Sequence, residues 1–465
     1  MQKSKLNTTK QSNMIPMLSI TVLFFIWGFI TSLNDILIPY LKGVYSLSHF
    51  EANIVQFAFF IAYFVGSLIF YFQSKYRRDL ISKYGYKMTL VIGLVISSLA
   101  CFLFAMAAYA GLKFGFFLLA LFMLGLGLTC LQIAANPFVA ILGNPDTASS
   151  RLNLSQAFNS LGTTLGPALG GYFIFTIIKQ TNGASAVIMP YIFLAILLMI
   201  LAFFIFMSKI NDRIQPSEDS QTTLHHNSIF KKPYVVLGAL GIFFYVGAEV
   251  AIGSNLVSYL KETAKMSENV ASSFLSYYWG GAMIGRFLGA ISLSKMRQSS
   301  KAGCMLLLSA VGFAIVFAVN YSLHDLKFNQ VAMFLAFVLL NFGCFFIGRG
   351  KAAATLAVFS VINVILISLG IVLSGDIAIW SLLSIGLFNS IMWSNVFTLA
   401  IDRLGSRTAE ASSVLIMMIL GGALLPPAQG WLADVFGIRI SYIIPLISYL
   451  YLLFYGLKGF KAGKH

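Results

Sequence analysis

The stretch Phe24-Phe25-Ile26-Trp27-Gly28-Phe29-Ile30-Thr31-Ser32-Leu33-Asn34-Asp35-Ile36-Leu37-Ile38-Pro39-Tyr40-Leu41-Lys42 has a counterpart 219 residues further on. Phe24, Phe25, Gly28, Leu37, Tyr40, Leu41 and Lys42 align with Phe243, Phe244, Gly247, Leu256, Tyr259, Leu260 and Lys261. Continuing without a gap, Ala52 meets Ala271 and Gly66 meets Gly285. Apolar composition explains some of these identities, but not the shared Tyr-Leu-Lys ending or the matches beyond it. Both copies lie in apolar runs long enough to cross a bilayer, which takes roughly 20 residues of helix for about 30 Å of hydrocarbon. The chain therefore reads as two related halves of membrane helices.

Composition agrees. Of 465 residues, 58% are hydrophobic and 10% charged, whereas a soluble domain carries about a quarter charged residues. Apolar runs recur from Ile15 to Tyr455. The first, 15–41, is too long for a signal core and lacks a small-residue cleavage site, so it reads as a retained helix. The net charge of +16 does not point to nucleic acid, because the basic residues are scattered through short loops rather than gathered into one domain. Cys101, Cys130, Cys304 and Cys344 sit inside apolar runs without paired spacing. They read as packing residues, with no disulfide, metal or other cofactor expected.

Fourteen segments have spanning length: 15–41, 52–72, 88–110, 114–142, 152–178, 186–208, 234–260, 269–294, 302–321, 328–348, 353–373, 377–400, 408–432 and 440–457. The connecting loops then alternate between two sides. The side holding both termini carries 23 of the 31 Lys and Arg, the other side 7, and Arg286 lies within a span. That excess predicts a multi-pass protein of the cell inner (cytoplasmic) membrane with both termini cytoplasmic.

A duplicated half whose symmetry axis runs along the membrane normal is the signature of the major facilitator fold. That fold has six helices per half, and the second half here has eight. The extra pair is most simply 302–348, since removing one hairpin leaves every later orientation unchanged. The expectation is an all-α membrane protein of two pseudo-symmetric bundles with about 14 transmembrane helices, 12 core plus an inserted hairpin. Residues 1–208 form the first six-helix bundle, 209–233 a cytoplasmic linker, and 234–465 the second bundle with the inserted pair. The linker histidines His225 and His226 read as a solvated surface pair.

Polar residues at depth need a reason, because an Asp at a helix centre costs ~2.5–3.5 kcal/mol on insertion scales. Trp27, Thr31, Asn34 and Asp35 follow i, i+4, i+7, i+8 spacing and share one helix face. The fourth span carries Gln132 and Asn136 before Pro137, and the fifth carries Asn153, Gln156 and Asn159. In the second half Tyr245 and Glu249 are four apart, as are Asn389 and Trp393. Any single amide could be interhelical glue worth ~0.6–2 kcal/mol. Amides and aromatics on equivalent helices of both halves suit a ligand with hydroxyls to bond and C–H faces to stack, which describes a sugar. Arg286, after Gly285, reads as a structural charge, with Glu249 as a candidate partner.

The chain also resembles the fucose/galactose/glucose–proton symporters of the major facilitator superfamily. The resemblance rests on Trp27 with Leu33-Asn34-Asp35-Ile36-Leu37, on Gln56 and Tyr63, and on Gln132 followed by Ala134-Ala135-Asn136-Pro137-Phe138. It continues through Arg151-Leu152-Asn153-Leu154, Gln156, Phe158-Asn159-Ser160, Tyr245-Val246-Gly247-Ala248-Glu249, Gly285-Arg286 and Gly386-Leu387-Phe388-Asn389-Ser390-Ile391-Met392. It implies a rocking fold, a central hexose site, a monomer, and proton coupling through Asp35; the candidate sugar-binding residues are Trp27, Asn34, Gln56, Tyr63, Gln132, Asn136, Gln156, Asn159, Tyr245, Glu249, Asn389 and Trp393. Gln132 stands where the fucose permease has a second key carboxylate, which favours the glucose/galactose branch. Trp393-Ser394-Asn395 and the extra hairpin also depart from the family pattern. Asp35 is then expected to bind a proton from outside and favour the sugar-loaded carrier. The rival readings are a sodium-coupled sugar symporter and an exporter of drugs or metabolites. A sensor or membrane enzyme is disfavoured, because no nucleophile–base pair, metal-ligand cluster or phosphate loop stands out.

Overall fold

The structure is a computed structural model describing residues 14–76, 80–141, 148–174, 183–208, 231–292, 297–324, 326–348, 351–402, 404 and 408–463. All but the last three residues of the predicted linker lie outside these. Six helices make the first half: α1 (Met14–Tyr45), α2 (His49–Tyr76), α3 (Leu80–Tyr109), α4 (Phe114–Ile141), α5 (Ala148–Tyr172) and α6 (Ile188–Met207). The second half begins with α7 (Pro233–Ala264) and α8 (Glu268–Ser292), followed by α9 (Gln298–His324), α10 (Phe328–Ile347) and α11 (Ala352–Val372). Three broken rods complete it: α12 (Asp376–Asn389) with α13 (Met392–Ile401), α14 (Thr408–Met417) with α15 (Gly421–Phe436), and α16 (Ile438–Ser441) with α17 (Ile443–Leu457).

Among the described residues, 12 rods are long and apolar enough to span a membrane. The remaining two, α5 and α8, have 25 residues each. They are too polar to pass on composition because they carry the amides, serines and Arg286 singled out above, and they pack against each other at the centre of the molecule. Partners inside the bundle reach several of these groups, among them Asn159, Ser160 and Arg286, as lipid cannot. Large side chains such as Met189, Phe193, Phe203, Phe204, Leu307 and Ile347 instead stand exposed on the outer helix faces, where a bilayer would cover them.

The repeat is visible in the packing. In the first half α1 lies along α5, α2 along α4, and α3 along both α4 and α6. With α9 and α10 set aside, the second half shows the same pairs: α7 along α15, α8 along α12, and α11 along both α12 and α17. Glycine sets two of the equivalent crossings. A Cβ on Gly162 of α5 would stand 2.1 Å from the Phe25 carbonyl oxygen, and one on Gly421 of α15 would stand 1.9 Å from that of Phe243. Only glycine lets these backbones approach so closely. The halves meet along α5–α8 and α2–α15, with α1 against α7.

The hairpin α9–α10 lies against α8, and α10 also touches α12 and α11. Two buried amides fasten it: Asn320 donates to Ser276 Oγ (2.7 Å) and Asn341 to the Leu387 carbonyl (3.0 Å). The break between α12 and α13 was not visible in the apolar run 377–400. At the break two backbone carbonyls face side chains instead of helix N–H groups: that of Asn389 lies 3.2 Å from Tyr245 Oη, and that of Ser390 accepts from Arg286 Nε (3.4 Å).

Candidate functional site

A cavity of about 150 Å³ opens between the halves, lined by Trp27 and Thr31 of α1, Phe60 and Tyr63 of α2, Gln132 of α4, and Asn159 and Thr163 of α5. The second half contributes Val246 and Ile419. One water needs roughly 10–15 Å³ on this measure, so the space holds on the order of ten waters. Trp27 donates through Nε1 to Tyr63 Oη (3.2 Å), which fixes both rings at the wall. Asn159 Nδ2 donates to the Phe24 carbonyl (3.0 Å), leaving its oxygen as an acceptor. The close α1–α5 crossing positions both walls, since a Cβ on Gly28 would stand 2.0 Å from the Asn159 carbonyl oxygen. Aromatic faces stand here beside amide and hydroxyl groups.

Asp35 does not line this cavity. It is 2% exposed and sits in the seam between the halves, accepting from Gln56 Nε2 (2.9 Å), Trp279 Nε1 (2.9 Å) and Ser254 Oγ (3.4 Å). Ser254 lies 219 residues beyond Asp35 and is its counterpart in the repeat, so the two equivalent positions meet where α1 crosses α7. A Cβ on Gly253 would approach Asp35 Oδ2 to 3.3 Å and the Trp279 ring to 3.1 Å, which explains the small residue there. Further along the same seam Asn53 Nδ2 donates to Asn255 Oδ1 (2.9 Å). At its end Glu262 pairs with His49 Nε2 (2.9 Å) and Lys42 Nζ (3.5 Å). This end of the molecule is shut.

The polar residues of the second half form a separate network. Asn389 is buried, donating to Tyr278 Oη (3.0 Å) and accepting from Tyr449 Oη (2.6 Å) and Asn363 Nδ2 (3.1 Å). Tyr245 Oη donates to Glu249 Oε1 (2.8 Å). The expectation of amides from both halves around one chamber is thus met on one side only. The first half supplies Trp27, Tyr63, Gln132 and Asn159 to the cavity, while Tyr245, Glu249 and Asn389 bond among themselves, and Trp393 stacks on Phe397 (ring centroids 5.0 Å apart). Asn34 is buried with neither amide atom hydrogen-bonded, Gln56 is committed to Asp35, and Gln156 is half-buried on α5. The side chain of Asn136 lies outside the described residues. Arg286 is not ion-paired with Glu249; it crosses the seam to Ser160 Oγ of α5 and also holds the Ser390 carbonyl.

Sequence reasoning passed over Phe60, Thr163, Val246 and Ile419 in the cavity, and Trp279 and Ser254 at Asp35. For Ser254 a signal was present: symmetry-equivalent positions on helices that meet at the axis come close to one another. For the others nothing local distinguishes them from packing residues.

Residues 20–358 match the Major Facilitator Superfamily, and the chain belongs to that family. It is 39% identical over 461 residues to the glucose/galactose transporter of Brucella abortus (strain 2308), covering 98% of this chain and 97% of that one. It is 25% identical over 463 residues to the L-fucose-proton symporter of Escherichia coli (strain K12), covering 94% and 92%. The crystal structure of the E. coli fucose:proton symporter superposes with a TM-score of 0.61 at 24% identity, covering 96% and 98% of the two chains, and so shares the fold.

Proposed function

We propose that this chain carries a hexose into the cell together with a proton, by alternating access across the inner membrane. The observation that carries the reading is the cavity between the halves, where Trp27, Phe60 and Tyr63 line the wall beside Gln132, Asn159, Thr31 and Thr163. Sugars are held by this combination: hydroxyls bond to the amides, and the C–H face of the ring stacks on aromatics. The names of the relatives support a hexose, and that of the fucose symporter supports the proton.

Asp35 lies outside the sugar site and inside the seam, so its role in this reading is to couple the proton to the gate. In the shut seam its carboxyl group accepts three hydrogen bonds, two of them from the opposite half. An ionised carboxylate buried there is a charge stripped of water; a proton taken up from outside while the entrance is open removes that cost and still leaves oxygens to accept from Trp279 and Gln56, which favours closing over the loaded site. Sugar and proton load together, the halves rock, and release to the cytoplasm restores the charged carboxylate. The excess of Lys and Arg on the side of the termini places them in the cytoplasm, so the shut end faces outward. The hairpin 302–348 lines no part of the cavity; it lies against α8, α11 and α12, and its first helix also touches α5.

The test is uptake of labelled D-glucose, D-galactose and L-fucose into proteoliposomes under an imposed proton gradient, with and without sodium at fixed pH. The reading expects accumulation of at least one hexose driven by the proton gradient alone. Uptake that needs sodium overturns the ion, and no hexose uptake under any gradient overturns the substrate class.

A further inference from the structure

The first turn of α2 is satisfied in two ways. Within its own half, Ser48 and Glu51 form a reciprocal cap: the Ser48 N–H donates to Glu51 Oε2 (2.9 Å), and the Glu51 N–H donates to Ser48 Oγ (3.1 Å). The two donors between them, the N–H groups of His49 and Phe50, are bonded from the other half by the carboxylate of Asp434 near the end of α15. One oxygen takes each, at 2.7 and 2.8 Å. The first N–H groups of any helix lack intrahelical partners, and here half of that requirement is met only while the halves touch at this end.

A second observation concerns how α15 reaches that position. A Cβ on Gly430, one turn before Asp434, would stand 2.6 Å from the His49 carbonyl oxygen and 2.9 Å from Asn53 Nδ2. The missing side chain lets α15 lie directly on the start of α2. Asp434 itself is exposed, so it is free of the internal packing that would make its replacement a folding defect.

We infer that Asp434 and Gly430 make α15 a cross-half latch, which caps α2 only when the outer entrance is closed and so sets the balance between the outward-open and outward-closed carrier. This rests on the alternating-access reading above, but not on the identity of the sugar or of the coupling ion. Asp434 is a positioning residue: it touches no substrate, and it acts through the helix end it holds. Loss of an exposed carboxylate cap at a helix N-terminus is therefore expected to shift the open-to-closed ratio by about 2- to 30-fold.

The experiment attaches spin labels at Lys113→Cys and Ser374→Cys, exposed positions in outer loops of opposite halves. The background has its four native cysteines replaced by alanine, and distances are measured by pulsed electron resonance in lipid nanodiscs without sugar. Asp434→Asn and Gly430→Ala should both move population from the short to the long distance. Glu51→Gln, which weakens the cap of the same helix from within its own half, should leave the distribution in place. An unchanged distribution for Asp434→Asn, or an equal shift for Glu51→Gln, overturns the latch. Failure of hexose uptake with the distance shifts intact would count against the proposed substrate and leave the latch standing.

Discussion

Replacing Asp35 with asparagine separates coupling from passage. The carboxylate accepts from Gln56 and Trp279 at 2.9 Å and from Ser254 at 3.4 Å. An amide of the same shape keeps one acceptor oxygen, enough for Gln56 and Ser254, but turns its nitrogen toward the indole N–H of Trp279. Two buried donors then face each other, and an unmatched buried donor costs about 1–3 kcal/mol. That cost falls only on the shut arrangement, because only there do the halves bring Trp279 to this position. The outward-closed population should drop by about 5- to 150-fold relative to the open one. Coupling through this position is lost, since the carboxylate assigned to the proton is gone. A driving force of ~150 mV is worth ~3.5 kcal/mol per charge, or accumulation of ~300-fold, which should fall to equilibration. Proteoliposomes loaded with unlabelled sugar should still exchange labelled sugar by counterflow. Adding Trp279→Phe to Asp35→Asn removes the opposing donor, and should restore the closed population without restoring accumulation. Uphill uptake surviving in Asp35→Asn would refute the argument.

Asn159→Ala and Gln132→Ala should each raise the KM for sugar by about 2- to 10-fold, the worth of a neutral hydrogen bond, as read from initial uptake rates; unchanged KM in both would detach the cavity from the substrate. Asn389→Leu strands the Tyr449 hydroxyl and the Asn363 amide as buried donors, so it should cost about 2–6 kcal/mol and lower the melting temperature in detergent, whereas an unaltered melting curve would show that the network does not hold the α12–α13 break. Gly162→Ala should sharply reduce the folded, monodisperse fraction in size-exclusion chromatography, because its Cβ meets the Phe25 carbonyl at 2.1 Å; Gly43→Ala, with nothing within 4 Å, should be tolerated, and equal behaviour of the two would contradict the close crossing.

Most of the architecture was legible because the bilayer restricts the options. Backbone polar groups in hydrocarbon must be bonded within the chain, so long apolar runs can only be helices. Runs such as 186–208 and 353–373 needed nothing more. The duplicated Tyr-Leu-Lys endings then related α1 to α7, and membership of the Major Facilitator Superfamily accords with that reading. The breaks at Ser390 and at Met418–Leu420 were hidden; at Ser390 composition cannot show which carbonyls a distant tyrosine or arginine will face.

The candidate site divides along the same line. Asp35, Gln132, Asn159 and Asn389 stood out in one dimension because each is costly in lipid and must have a purpose. Which purpose each serves depends on what faces it, and that is set by helix rotation and by which half lies opposite. Trp27 and Asn159 reach the cavity because glycines let α1 and α5 cross almost in contact. Asn389 turns instead to three side chains of its own half. Asp35, one residue from the equally polar Asn34, meets its repeat counterpart Ser254 across the axis, and that puts it in the seam between the halves rather than in the cavity. Sequence supplied the helices, their repeat and the polar residues that demand explanation. Tertiary structure decided their partners, because the energy of a buried polar group lies in the group opposite, and that group is usually hundreds of residues away.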